Sequence, residues 1–109
     1  MEFRKVTAII RPGVLEKVEQ ALQALSVPGV SVTKVKGYGE YANFYTPDWM
    51  LTHALVEVFI GQHRAEEVAR AIMEAAHTGM EGDGIVAVLP VESVYHIRTR
   101  QKCEYDACE

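Results

Sequence analysis

Cysteine is nearly absent from this chain, and its two copies, Cys103 and Cys108, stand together at the C-terminal end. A pair placed there cannot staple a fold in the way a disulfide framework does. Long apolar runs are also missing: nothing approaches the roughly 20 residues that a membrane-spanning helix needs. The opening MEFRKVTAII lacks a signal-peptide pattern, because Arg11 and Pro12 follow only a short apolar stretch, so a cytoplasmic protein is expected. Positive charge is in short supply, with 11 Lys and Arg against 15 Asp and Glu and a net charge of −4. That balance argues against a nucleic-acid binder, which normally carries a basic patch, but leaves room for a local basic pocket. What remains is ordinary: 109 residues, 49% hydrophobic and 24% charged, fit one globular domain with a modest core.

Two similar halves can be read along the chain. Phe3 to Ile10 alternates as a strand, with Val6, Ala8 and Ile10 on one face and Lys5 and Thr7 on the other. Pro12 and Gly13 break it, and Val14, Val18, Ala21, Leu22 and Leu25 then follow helical spacing. Pro28-Gly29 closes that unit before a second strand begins around Val30, Val32 and Val35. Gly37 to about Met50 has no sustained period and reads as a loop. Leu51 to Ile60 is again a strand, a helix follows from about Arg64 to His77, and strand-like runs occupy Ile85 to Leu89 and Val94 to Arg98. The order predicts an α+β, ferredoxin-like βαββαβ sandwich, an antiparallel sheet with two helices on one face. The other face carries many apolar residues for so small a chain, which predicts a homo-oligomer.

Three features sit near strand ends. Gly37-Tyr38-Gly39 lets backbone amides face a ligand without a Cβ in the way, although a tight turn is the commoner explanation of such an isolated pair. Glu57 lies inside the apolar run LVEVFI, where a carboxylate is costly unless bonded or facing solvent. Its two oxygens suit ribose hydroxyls. The stretch TGMEGDGIVAVLPVE offers a Gly82-Asp83-Gly84 turn of the kind that approaches phosphate, yet Ile85 follows it and the next cation is Arg98. A two-glycine hairpin would account for that turn as well.

As a set, AIIRP (Ala8 to Pro12), GVSVTKVKGYGEY (Gly29 to Tyr41), ALVEVFI (Ala54 to Ile60), TGMEGDGIV (Thr78 to Val86) and HIRT (His96 to Thr99) resemble the PII signal-transduction proteins over nearly the whole chain. The resemblance implies a homotrimer that binds adenine nucleotide in the clefts between subunits. It also implies a projecting T-loop, about residues 39–52, that docks on a protein partner. Residues 1–100 would form the domain and 101–109 a cysteine-containing tail. By the same resemblance Ile9 and Phe59 flank adenine, Ser31 replaces a threonine that reaches the base, and Glu57 bonds the ribose. Gly37, Tyr38 and Gly39 line the nucleotide, and Gly82, Asp83 and Gly84 offer amides to phosphate. Arg98 reaches the phosphates of a neighbouring subunit.

The departures from the family pattern fall at the polyphosphate end. Ile85 replaces a basic residue, His96 an arginine, and Glu40 and Tyr41 an arginine and a glutamine, while His53 stands for a lysine. Each exchange removes a permanent cation or a metal-phosphate ligand, so ADP or AMP is expected over Mg-ATP. The T-loop is also several residues shorter than usual. The shortened loop and weakened phosphate end resemble divergent PII-like proteins of inorganic-carbon acquisition, some of which carry a C-terminal cysteine pair spaced like Cys103 and Cys108, although two incidental tail cysteines explain that pair as well. That likeness implies a bicarbonate-linked role, with the small anion at Gly39, Glu40 and Tyr41, Cys103 and Cys108 as a redox pair, and a bicarbonate transporter or carboxysome-linked protein as partner. Membrane association would then run only through the partner.

Two alternatives stand beside this reading. One is a nitrogen-regulatory PII protein acting on an ammonium transporter or nitrogen enzyme. The other is a trimeric metal-tolerance protein of similar fold, with His53, His63, His77, His96 and the cysteines as ligands. Their scattered spacing gives no compact ligand motif, and no metal is expected. No nucleophile–base pair points to an enzyme, and no catalytic cofactor is expected.

Overall fold

The computed structural model describes residues 1–38 and 51–104. Strand β1 (Phe3–Ile10) leads through a short 3-10 turn, Pro12–Val14, into helix α1 (Leu15–Ala24). Pro12 therefore does not simply interrupt the chain. Its fixed φ and missing N–H suit the first turn of a helical segment, and α1 starts directly behind it. The helix ends with Ser26 in the left-handed region at φ 56°, and Arg64 donates to the Leu25 carbonyl at that end. Strands β2 (Ser31–Gly37) and β3 (Leu51–Gly61), helix α2 (Gln62–Ala76) and strand β4 (Gly84–Val91) follow.

The sheet is antiparallel and ordered β2-β3-β1-β4, the arrangement expected of a ferredoxin-like sandwich. Its period-two alternation sends Val6, Ala8 and Ile10 of β1 and Ala54, Val56, Val58 and Ile60 of β3 into the core. There they meet Val18 and Leu22 from α1 and Val68, Ala69 and Ile72 from α2. Each fully buried Val, Leu or Ile contributes about 1.5–3 kcal/mol relative to exposure, so these two faces define the stable centre of the molecule.

The strand-like run Val94 to Arg98 forms a strand at Tyr95–His96 (β5), which pairs with Gln101–Lys102 (β6) in a two-stranded ribbon separate from the main sheet. The ribbon crosses residue 100, and the Cys103 N–H donates to the Val94 carbonyl at 2.8 Å.

The face of the sheet away from the helices carries rows of side chains set by the strand register. Ser31, Glu57, Thr7 and Ala87 form one row, and Thr33, Leu55, Ile9 and Ile85 the next towards the loop end. Phe59, Lys5 and Leu89 lie on the opposite side of the Glu57 row. This face is uncovered within one chain: Phe59 is 50% exposed, Ile85 44% and Leu89 41%.

Candidate functional site

The C-terminal ends of β1 and β2 and the N-terminal ends of β3 and β4 meet at one end of the sheet. Gly84 opens β4 opposite Ile10, with φ 110°. A Cβ at this position would stand 1.9 Å from the Ile9 carbonyl oxygen. Backbone packs directly on backbone here, which only glycine permits. Gly79 and Gly82 also have positive φ, 84° and 92°, so the chain between α2 and β4 is a turn built from conformations that side chains resist. Turns of this kind make concavities lined by backbone amides that suit anions.

The carboxylate of Asp83 holds the turn closed from inside. Its Oδ2 accepts the Thr78 N–H at 2.8 Å and the Gly79 N–H at 3.0 Å. Its Oδ1 accepts the Thr78 hydroxyl and, at 3.3 Å, the Nε–H of Arg11. The Arg11 guanidinium also donates through Nη2 to the Glu81 carbonyl. The Thr78 hydroxyl bond, with the two amides and Arg11, holds the Asp83 carboxyl far below the usual carboxylate range, and partial desolvation opposes this without prevailing. Sequence reading gave Asp83 a backbone role towards phosphate; its side chain has a second task, as the internal brace of the loop. Arg11 and Thr78 went unassigned, although both lie inside the motifs AIIRP and TGMEGDGIV. The available signal was weak: an arginine leaving β1 at the end where β4 begins.

A shallow cleft of about 240 Å³ opens beside this turn, between α2 and β4, lined by Met73, His77, Asp83, Gly84 and Ile85 among others. Small-molecule sites usually enclose about 300–1,000 Å³, so the cleft of one chain is less than a full site.

The other anticipated residues fall into separate groups. Gly37 ends β2, and Tyr38 follows it with 62% exposure. Gly37 and Gly84 share the loop end of the sheet but lie on its opposite edge strands, with β3 and β1 between them. Ser31 and Glu57 are direct cross-strand neighbours on the outer face, with Phe59 two residues along β3. Their row is three residues from Gly84 along β1, about 10 Å at strand spacing. Ile9 lies between the two groups, in the row that contains Ile85. The carboxylate of Glu57 is engaged, its Oε2 standing 2.6 Å from Lys5 Nζ. A carboxylate has about four lone-pair sites, so this pairing leaves acceptor capacity free.

Arg98 sits in the turn between β5 and β6, away from both groups in the fold order and exposed. His96 Nδ1 is 3.2 Å from Thr99 Oγ1 in the same turn. His53 is 4% exposed at the start of β3, with Nδ1 3.2 Å from the Leu51 carbonyl oxygen. Gly39, Glu40 and Tyr41 lie outside the described residues, as does Cys108. Cys103 is buried and disulfide-bonded. Among the described residues no group of three or more His, Cys, Asp or Glu side chains is arranged to hold a metal ion. No helix among them is long and apolar enough to cross a membrane.

Residues 3–101 match the protein family described as nitrogen regulatory protein P-II. The nitrogen regulatory protein P-II of Azospirillum brasilense is 37% identical over 108 residues, spanning 92% of this chain and 96% of that protein. The nitrogen regulatory protein GlnK2 of Haloferax mediterranei is 40% identical over 105 residues, 89% of this chain and 85% of that one. Among solved structures, Arabidopsis thaliana PII bound to citrate superposes with a TM-score of 0.82 at 36% identity, covering 94% of this chain and 90% of that chain.

Proposed function

The chain belongs to the nitrogen regulatory protein P-II family, and from that membership we propose that it is a non-catalytic signalling protein that binds adenine nucleotide between subunits of a homotrimer. The single observation carrying this reading is the division of the expected site within one chain. The phosphate-type turn at Gly82-Asp83-Gly84 lies at the sheet end, while Ser31 and Glu57 lie on the outer face three residues away along β1 and Phe59 five. A cleft between two copies brings the end group of one chain to the face group of the next. The uncovered apolar row containing Phe59 and Leu89 supports assembly through that face. In this reading Arg98, on the separate ribbon, reaches a neighbour's phosphates.

Nucleotide binding reorders residues 39–52, and the ordered loop engages a protein partner in inorganic-carbon metabolism in the cytoplasm. The switch draws on differential affinity for two loop states rather than on chemistry. Ile85 in place of a cation supports a preference for ADP or AMP over Mg-ATP. Bicarbonate binds at Gly39, Glu40 and Tyr41, and Cys103 and Cys108 form the redox pair of the tail. A second reading, a regulator of nitrogen metabolism, is favoured by the names of the relatives, which are nitrogen regulatory proteins.

Calorimetric titration with AMP, ADP, ATP and cyclic AMP, each with and without bicarbonate, tests the proposal. ADP or AMP binding tighter than Mg-ATP, with affinity altered by bicarbonate, is the expected result. No heat for any nucleotide would remove the nucleotide reading. Tight Mg-ATP binding strengthened by 2-oxoglutarate, with no response to bicarbonate, would transfer the protein to nitrogen signalling.

A further inference from the structure

We infer that Arg11 is a positioning residue that sets the affinity of this protein for phosphate, by bracing the Gly82-Asp83-Gly84 turn from behind and neutralising the carboxylate inside it. The inference rests on the nucleotide reading above and adds a residue to it.

The geometry is a fork. Arg11 Nε–H points to Asp83 Oδ1 at 3.3 Å, and Nη2 donates to the carbonyl of Glu81 in the same turn. These contacts join the exit of β1 to a loop 72 residues later in sequence. Both partners are mostly withdrawn from water, each side chain being 24% exposed. A turn that must receive phosphate on amides carries its own negative charge in Asp83, which repels an anion unless it is balanced. Arg11 supplies the balance. The other basic group nearby, His77, has Nδ1 4.0 Å from Asp83 Oδ2, is 74% exposed and is a cation only when protonated. With Ile85 directly after the turn, Arg11 is the permanent cation that touches this loop among the described residues. Its planar guanidinium grips a carboxylate and a carbonyl at once; a lysine ammonium keeps the charge without that fixed two-pronged geometry.

Affinities for ADP and for adenosine, measured by calorimetry on wild type, Arg11→Lys and Arg11→Met, separate this role from general support of the fold. Arg11→Met is expected to lose about tenfold or more in ADP affinity while adenosine binding stays unchanged, because adenosine has no phosphate to place. Arg11→Lys is expected to lie between the two, retaining the charge and losing the fork. Equal losses for ADP and adenosine, or an unchanged ADP affinity, would overturn the inference. Should Arg11→Met fail to fold, Arg11→Lys decides alone by the same ratio. Amide exchange gives a readout that needs no ligand. The Thr78 and Gly79 N–H groups, both bonded to Asp83, should lose protection in the Arg11 variants, and unchanged protection would defeat the brace. Wild type that binds neither ligand would defeat the nucleotide reading, and the exchange result would then decide the brace on its own.

Discussion

The backbone of Gly84 lies so close to the Ile9 carbonyl oxygen that a Cβ would intrude to 1.9 Å, and the residue has φ 110° as well. Crowding and conformation thus exclude a side chain independently. Gly84→Ala is expected to cost more than the roughly 1–3 kcal/mol of backbone strain alone. For a domain of this size that lowers Tm by about 10 °C or more. Gly13, where an added Cβ meets nothing within 4 Å, is the matched control and should tolerate alanine. Thermal unfolding of the two variants checks the contrast; equal behaviour would mean that β4 begins in a different geometry.

Asp83 gives the protein a defined response to acid. Its carboxyl is held well below the ordinary value of 3.8, first by the Thr78 hydroxyl and then by the Thr78 and Gly79 amides and Arg11. A depressed folded-state value contributes stability that is fully present above about pH 4–5 and is lost as the pH falls towards the folded value. Asp83→Asn should therefore cost about 1.5–3 kcal/mol at pH 7, the range for hydrogen bonds to a charged group. The difference from wild type should shrink between pH 5 and pH 2. Urea midpoints across that range measure it, and a gap independent of pH would contradict the assignment.

Position 85 tests the preference for short phosphate chains. Ile85 is 44% exposed beside the turn, so a lysine can reach solvent or a ligand without breaking the core. Ile85→Lys is expected to raise ATP affinity about tenfold relative to adenosine, with the gain weakening as salt is added. Calorimetry at low and high ionic strength reads both effects. An ATP-to-adenosine ratio that does not move would detach Ile85 from the phosphate end.

The outer face offers a separate handle on assembly. Leu89 is 41% exposed in the row that contains Lys5 and Phe59. Leu89→Glu places a charge where a subunit contact would have to desolvate it, a cost of several kcal/mol. Light scattering after gel filtration should show the proposed trimer dissociating. A trimer that survives the substitution would move the interface off this face.

Local periodicity exposed the core, while long-range contacts escaped it. Val6, Ala8 and Ile10, and Ala54, Val56, Val58 and Ile60, alternate in the sequence because one face of each strand is buried, and the structure buries those residues. Val94 to Arg98 reads as strand-like too, but a run of a few residues does not say which strand will pair with it. Its partner proved to be Gln101–Lys102. Pro12 read as a breaker because its chemistry suits both the end of a strand and the first turn of a helix. The glycines of the turn between α2 and β4 were legible from type and spacing. The brace behind them was not, since Arg11 and Asp83 are 72 positions apart and nothing local links them.

The proposed split of the site into a turn at the sheet end and a group on the outer face, three residues apart along β1, bears on mixed populations. In the proposed closed ring each copy donates its turn to one cleft and its outer face to the other, so a single defective copy impairs one or two clefts according to where its lesion lies. A chain damaged at Gly84 and a chain damaged at Glu57, each inactive alone, would regenerate an intact cleft wherever the sound half of one meets the sound half of the other. Cells carrying two such alleles would regain part of the response that neither allele provides.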